Sequence, residues 1–394
     1  MKTGRIPFLF LLALSLLLPS CRKSGEESGS EKVRTENVDG VTLVHNPPVP
    51  QHPEKTVRFE EEISFGGEEE GSGAVYKPGQ YVIDERNRVH IADAADSTIK
   101  VFDAEGRFLR EIGRKGQGPG EFGAIFILGF CPDGRLLVTD SRNRRTSIFG
   151  PEGDFLGSYQ WTSNTPIPYL VLDDAYVVQE SARDESGTKM FLKTYDFEGH
   201  EVKSWGEFVS PPMKSITRGG TGGTVTTIGV SVPFAPHSVL TGDPTFMRVY
   251  HCLNDTYLID VYDSGGQLFM KIDRPYEHVP VTDKDKEEAL AMVAGSSQGV
   301  KDLYEDLDWP KVKTVTVRIL CDDRGYLWLA THEERIEGDR KLTAYDVFDS
   351  DGIYDARVWL DAAPGKFADG KMYRFKEDEE SGIRSLTRFR VIWK

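Results

Sequence analysis

Cysteine is scarce in this chain: four in 394 residues, at positions 21, 131, 252 and 321. With Cys21 set apart at the end of an N-terminal apolar segment, three remain, an odd number that gives no disulfide framework. Cys131 precedes Pro132-Asp133-Gly134 and Cys321 precedes Asp322-Asp323-Arg324-Gly325, similar slots in different stretches. They are expected as buried small apolar side chains rather than as a pair. Histidine is equally thin, eight residues scattered at 45, 52, 90, 200, 237, 251, 278 and 332. No two of them have a metal-binding spacing on one helix or strand, and His332-Glu333-Glu334 lacks the second histidine of a zinc motif. Positive charge is in deficit, 48 basic against 63 acidic residues for a net charge of −15. An acidic surface of that size argues against nucleic acid or anionic lipid headgroups as the main partner. Long apolar runs are missing beyond the N-terminus, and the run there, Ile6 to Leu18, is shorter than the roughly 20 residues of a membrane span.

What the N-terminus does carry is a leader pattern. Lys2 and Arg5 precede the apolar run, which ends in Leu18-Pro19-Ser20-Cys21. A short basic start and an apolar core of this length are those of a signal peptide. The ending resembles the lipobox of bacterial lipoproteins. That resemblance implies a signal peptide over 1–20, cleavage before Cys21 and a diacylglyceryl group on its sulfur, hence a membrane contact through the lipid. Residues 21–54 read as a lipidated flexible tether, opening Arg22-Lys23-Ser24-Gly25-Glu26-Glu27 and closing with Pro47, Pro48, Pro50 and Pro53. Small, charged and proline-rich residues bury too little apolar surface to offset ordering entropy. Val41 to Val44 is the one short strand expected there. Arg22 stands where some lipoproteins carry the aspartate that retains them at the inner membrane, which leans the anchor toward the outer membrane.

From residue 55 onward the sequence repeats itself. Tyr81 to Gly113 and Phe130 to Tyr159 each give four short apolar or alternating runs separated by Asp/Gly turns. Four consecutive antiparallel strands of that length make one propeller blade. The turn before the fourth strand recurs as Asp103-Ala-Glu-Gly106, Gly150-Pro-Glu-Gly153, Asp196-Phe-Glu-Gly199, Asp263-Ser-Gly-Gly266 and Asp349-Ser-Asp-Gly352. Its glycines lie 47, 46, 67 and 86 residues apart, and periods in the forties are those of blades. The 67-residue step holds an inserted loop at about 210–244, rich in glycine, threonine and proline. The 86-residue step holds a helical insertion at about 282–307, with Thr282 as N-cap and acidic residues in the first turn. Because 86 is close to twice 43, seven blades is the alternative; the helix and the lack of strand alternation from Asp273 to Trp309 favour six.

The chain ends close the ring. Asp369 to Phe375 and Leu386 to Trp393 read as second and third strands of a last blade, after which the chain stops. Val57 to Gly66 resembles Phe108 to Gly113 and supplies the missing outer strand, a velcro closure that leaves no open edge. The expected fold is therefore all-β: a six-bladed β-propeller of four-stranded antiparallel blades over 55–394, closed by an N-terminal strand. With these residues in view, the blades resemble NHL repeats, and the chain resembles six-bladed propeller lipoproteins. Tyr81 to Phe122 carries the match most strongly, with Gly113-Arg-Lys-Gly116-Gln-Gly118-Pro119-Gly120-Glu121-Phe122 matching the interblade loop; the fourth blade matches only through its last two strands.

Candidate chemistry is sparse. Gly116-Gln-Gly118-Pro119-Gly120 has no following helix to hold a phosphate, and Arg218 to Thr224 lacks the ending of a P-loop; both read as loops. No serine is read as a nucleophile, and no catalytic residue is assigned. Asp93 and Asp140 share one slot at the ends of second strands, where a ring of carboxylates would hold a divalent cation such as calcium or each would cap its own turn. Glu180 and Thr331 stand near that slot in other blades, so the ring is incomplete. The face formed by second-to-third strand loops and interblade connections would carry Ala94 to Ser97, Ser141 to Arg145, Ala182 to Thr188 and Glu333 to Arg340. Arg142, Arg144 and Arg145 form a basic patch there, suited to an acidic protein, peptide or glycan partner. The expectation is a non-catalytic binding or scaffold propeller of the cell envelope. The alternative is an extracytoplasmic enzyme of the lyase or lactonase kind with a metal in the central channel, and a third class is a sensor or accessory subunit of an envelope complex.

Overall fold

The computed structural model describes residues 32–67, 73–161, 167–172, 174–184, 187–219, 225–293, 295–378 and 382–394. The leader, Cys21 and the first part of the tether lie outside the described residues. From residue 78 onward, strands pair with their sequence neighbours into antiparallel four-stranded sheets, the blades. Blade 1 spans 78–112, blade 2 125–160, blade 3 167–208, blade 4 238–273 and blade 5 318–360. Blade 6 takes three strands from 366–393 and its fourth from Val57–Phe65. That fourth strand pairs antiparallel with Arg384–Trp393, from Leu386 opposite Phe65 to Trp393 opposite Val57. The fold is the expected six-bladed propeller with velcro closure, not the seven-bladed alternative.

Burial within a blade follows strand rank. The second strands Val89–Asp93 and Leu136–Asp140 are buried at every position, whereas the outer strand Phe108–Ile112 alternates. Inner strands face neighbouring blades on both sides and read as continuous apolar runs; outer strands keep one wet face. The core is accordingly divided among the wedges between blades. Ile99 and Ile112 of blade 1 pack with Leu136, Val138 and Phe149 of blade 2. Ile259 and Ile272 of blade 4 pack with Leu327, Leu329 and Phe348 of blade 5, and Leu170 and Leu192 of blade 3 with Leu240 and Val249 of blade 4. At about 1.5–3 kcal/mol for each large apolar side chain buried, the ring is held mainly between sheets.

The recurring Asp/Gly turn locks this arrangement. Gly153 has φ +89°, and a Cβ there would stand 2.9 Å from Ile112 of the preceding blade; Gly266 has φ +72° and would meet the Trp205 ring at 2.7 Å. Only glycine combines the left-handed backbone with so close an approach. The aspartate before it bonds the turn, as where Asp103 Oδ1 accepts from the N–H groups of Glu105 and Arg107.

Two segments differ from the sequence reading, and a third, the helical insertion, agrees with it. The part of 21–54 read as tether is ordered from Arg34: strands Arg34–Val38 and Val41–His45 form a hairpin that extends blade 4, Val41–His45 running parallel to Leu268–Asp273. Val44 is buried in the wedge between blades 4 and 5. The proline-rich stretch then lies along blade 5, where Gln51 and His52 donate to the carbonyls of Tyr354 and Asp355. Prolines suit such an edge, since the non-proline residues between them supply the N–H groups. The segment at 210–244 holds a hairpin, Met213–Gly219 with Val225–Ser231, and the first strand of blade 4, Ser238–Asp243. Helices α1 (Asp283–Met292) and α2 (Gln298–Glu305) occupy the helical insertion. Val230 of the hairpin packs with Leu303 and Leu307, so the two insertions share a small apolar core of their own.

Candidate functional site

In blades 1, 2 and 4 the slot at the end of the second strand is a clamp. Asp93 is fully buried and accepts backbone N–H bonds from Tyr76 and Lys77, which lead into blade 1, and from Ala95 of its own turn. Asp140 accepts from Gly123 and Ala124, which lead into blade 2, and from Arg142, Asn143 and the Asn143 side chain. Blade 4 uses Asn254 in the same way: its Oδ1 takes the His237 N–H, and its Nδ2 donates to Thr316 in the connection to blade 5. The carboxylates proposed for a cation are thus surrounded by backbone donors, and the turn-capping reading describes their contacts. Glu180 instead receives the Tyr195 hydroxyl at 2.8 Å, and Thr331 donates to the Ala344 carbonyl. Among the described residues, the group able to share an ion is Asp196, Glu198 and His200 on an exposed turn of blade 3.

The three arginines of blade 2 do not form one patch. Arg142 and Arg144 are exposed, but Arg145 is buried. Its guanidinium donates to the carbonyls of Gln117, Gly118 and Glu121, bracing the interblade loop. The bland turn reading of Gly116 to Gly120 is what this contact uses. Basic residues of the 333–340 hairpin are also engaged: Arg340 meets Glu337 and Asp361, and Lys341 meets Glu334.

Two constellations invite a catalytic reading. Ser238 Oγ lies 2.9 Å from His251 Nε2, and His251 Nδ1 lies 3.4 Å from Asp260 Oδ2. The row continues to Lys271, 2.6 Å from Asp260, and so crosses all four strands of blade 4. Ser238 is buried, its Oγ accepts the Val209 N–H, and the Phe208 ring stands edge-on to the imidazole at 4.8 Å. A nucleophile needs an approachable oxygen and donors for an oxyanion; this row is a cross-strand ladder. Gly295-x-Ser297-x-Gly299 has the letters of a nucleophile elbow, a pattern the sequence reading passed over. It joins α1 to α2, with Ser297 as N-cap of α2, rather than a strand to a helix. His332 sits beneath the insertions with Nε2 3.1 Å from Thr314 Oγ1 and the Phe234 ring edge-on. Burial, helped by the nearby Lys313 charge, pushes its pKa down to about 4.

Where blade 6 meets blades 5 and 1, a cavity of about 530 Å³ opens at the strand ends that carry the interblade connections. Its cationic wall is Arg318, the first residue of blade 5, with Arg374, Lys376 and Arg384 of blade 6. The remainder is Tyr81, Phe375 and the connection 362–365; among the described residues no carboxylate lines it. Arg374 stacks on Phe389 at 4.9 Å and Arg384 on Phe375 at 4.8 Å. Stacking holds the guanidinium plane and leaves its N–H edge for a ligand. Lys376 is paired with Glu61, whereas no ion pair joins Arg318, Arg374 or Arg384 to an acid among the described residues. Beside the cavity, Lys366 lies over the Tyr81 ring and donates to the Tyr81 carbonyl at 2.8 Å. Crowding by the surrounding chain pushes its ammonium down to about 8 although the side chain keeps solvent contact. Burial raises the Tyr81 phenol to about 12, against the pull of the Arg318 charge. The sequence reading missed this cluster, whose three arginines at 318, 374 and 384 are 10 to 66 residues apart.

A family model described as 6-bladed beta-propeller matches residues 80–130, blade 1 with the first strand of blade 2. No curated protein matches the chain. Among solved structures, a member of the DUF4221 family from Bacteroides vulgatus is similar at 11% identity and a TM-score of 0.49, over 86% of this chain and 99% of that one. Virginiamycin B lyase from Staphylococcus aureus is similar at 10% identity and a TM-score of 0.38, over 85% of this chain and 99% of that one. No described helix is long and apolar enough to cross a membrane.

Proposed function

We propose that the chain is a non-catalytic binding or scaffold module of the cell envelope. It is exported by its leader, anchored through a lipid on Cys21 and built from NHL-like blades. Its partner is an acid-bearing protein, peptide or glycan. The observation that carries this reading is a cavity whose described lining holds three arginines and no carboxylate, in a chain of net charge −15. Uncompensated guanidinium groups in a concave site repel one another, and an anionic partner relieves that cost. Among the described residues, the cavity lining offers recognition groups and holds no carboxylate, histidine, serine or cysteine that would take part in proton transfer or attack. The Arg142 and Arg144 turn is a secondary contact at most, since Arg145 is committed to its loop.

Envelope extracts passed over the immobilised full chain test the reading. The wild type is expected to retain a partner that the Arg318→Glu, Arg374→Glu, Arg384→Glu triple variant loses and that Arg142→Glu, Arg144→Glu keeps. Retention by the triple variant overturns it.

A further inference from the structure

Ligand chemistry follows from which donors in the cavity are already in use. In the connection that enters blade 6, two N–H groups are already in use: that of Gly365 points to Met372 Sδ at 3.3 Å and that of Lys366 to the Tyr81 hydroxyl at 3.1 Å. No helix N-terminus lines the cavity, whose residues belong to strands and to 362–365. Its one lining lysine is engaged by Glu61. Backbone nests, helix termini and lysine point charges are the usual devices for phosphate; here no helix terminus lines the cavity, and Lys376 and the Gly365 and Lys366 N–H groups are occupied. What remains is guanidinium edges from two blades, two of them held flat by aromatic rings. A planar fork matches a carboxylate with two parallel N–H···O bonds. Three such forks in about 530 Å³ call for more than one acidic group on a single ligand. The other wall, Tyr81, Phe375 and Pro364 among it, suits a carbon skeleton.

We infer that the cavity bounded by Arg318, Arg374 and Arg384 binds an organic ligand bearing two or more carboxylates in preference to phosphate. The inference rests on the cavity being the ligand site of the binding module. The carboxylates can belong to a small metabolite-like acid or to acidic sugars of a glycan; the chemistry recognised is the same.

Calorimetric titration of the full chain at low salt with tricarballylate, trigalacturonate and inorganic phosphate provides the test. At least one polycarboxylate is expected to bind ten times tighter than phosphate, and the tighter of the two names the source. Arg374→Lys and Arg384→Lys keep the charge and lose the fork, so each is expected to weaken polycarboxylate binding at least tenfold with the melting temperature unchanged. Phosphate binding as tightly as the polycarboxylates, or lysine variants that bind like the wild type, overturns the inference. If no polycarboxylate binds while the Arg→Glu triple variant still loses its envelope partner, the ligand class fails and the binding reading stands. If partner capture also survives, both fail.

Discussion

Two arginine groups sit on the loop side of this propeller and do opposite work. In blade 2, Arg145 is buried with its guanidinium on three carbonyls of one interblade loop, and Asp140 gathers the N–H groups of the same corner. At blade 6, Arg318, Arg374 and Arg384 line open space; Arg374 and Arg384 lie over aromatic rings, and no acid among the described residues pairs with the three. The first group is clustered in sequence, and its buried member Arg145 is structural; the second is dispersed in sequence and open to a ligand. Local charge density is therefore a poor guide to a binding face here. What distinguishes the groups is whether the hydrogen-bond donors are already satisfied.

Substitutions sharpen that contrast. The largest effect is expected at the Asp140 clamp, where Asp140→Ala leaves several buried N–H groups without an acceptor and costs about 2–4 kcal/mol. Arg145→Met removes the donor to three carbonyls, of which Gly118 keeps the Glu121 N–H, and costs about 1–3 kcal/mol. Both are read by urea denaturation, and a loss under about 0.5 kcal/mol at Asp140 breaks the comparison. Arg374→Gln with Arg384→Gln is expected to keep or slightly raise stability, since it removes like charges, while anion affinity falls tenfold or more. A smaller effect concerns pH. The Lys366 ammonium is pushed down to about 8, so it loses its charge as pH rises through that value. A bound anion favours the charged form, and affinity is expected to weaken a few-fold from pH 7 to pH 9. Titration of Lys366→Met at both pH values is expected to remove the trend. The smallest effect belongs to Arg142→Gln with Arg144→Gln, within about 0.5 kcal/mol in stability and with anion affinity unchanged.

Blades 1 and 2 were legible in the sequence because their Asp/Gly turns and apolar runs follow the blade period without interruption. The first two strands of blade 4 were hidden behind the 210–231 segment, where a glycine- and threonine-rich composition masks a hairpin. At 34–45 the strand over Val41 to Val44 was expected, but its hairpin partner was not: that strand is short and exposed throughout, and the blade strand the hairpin joins lies more than 200 residues away. The cavity was illegible because Arg318, Arg374 and Arg384 come together only when blade 6 closes against blades 5 and 1. No local pattern marks them, although Arg318 opening a strand and Arg384 opening another are positions that a blade register would place on one face. The paired slot of Asp93 and Asp140 was visible, while the choice between cation ligand and turn cap needed the N–H groups that converge on each carboxylate.

Arginine footprinting tests the contrast most directly. The full chain is treated with phenylglyoxal, with and without tricarballylate, and modification is followed at each arginine by mass spectrometry. Rapid modification at Arg318, Arg374 and Arg384, slow modification at Arg145, and protection by the tricarboxylate at the first three alone is the predicted result. Comparable reactivity at Arg145, or protection confined to Arg142 and Arg144, would contradict it.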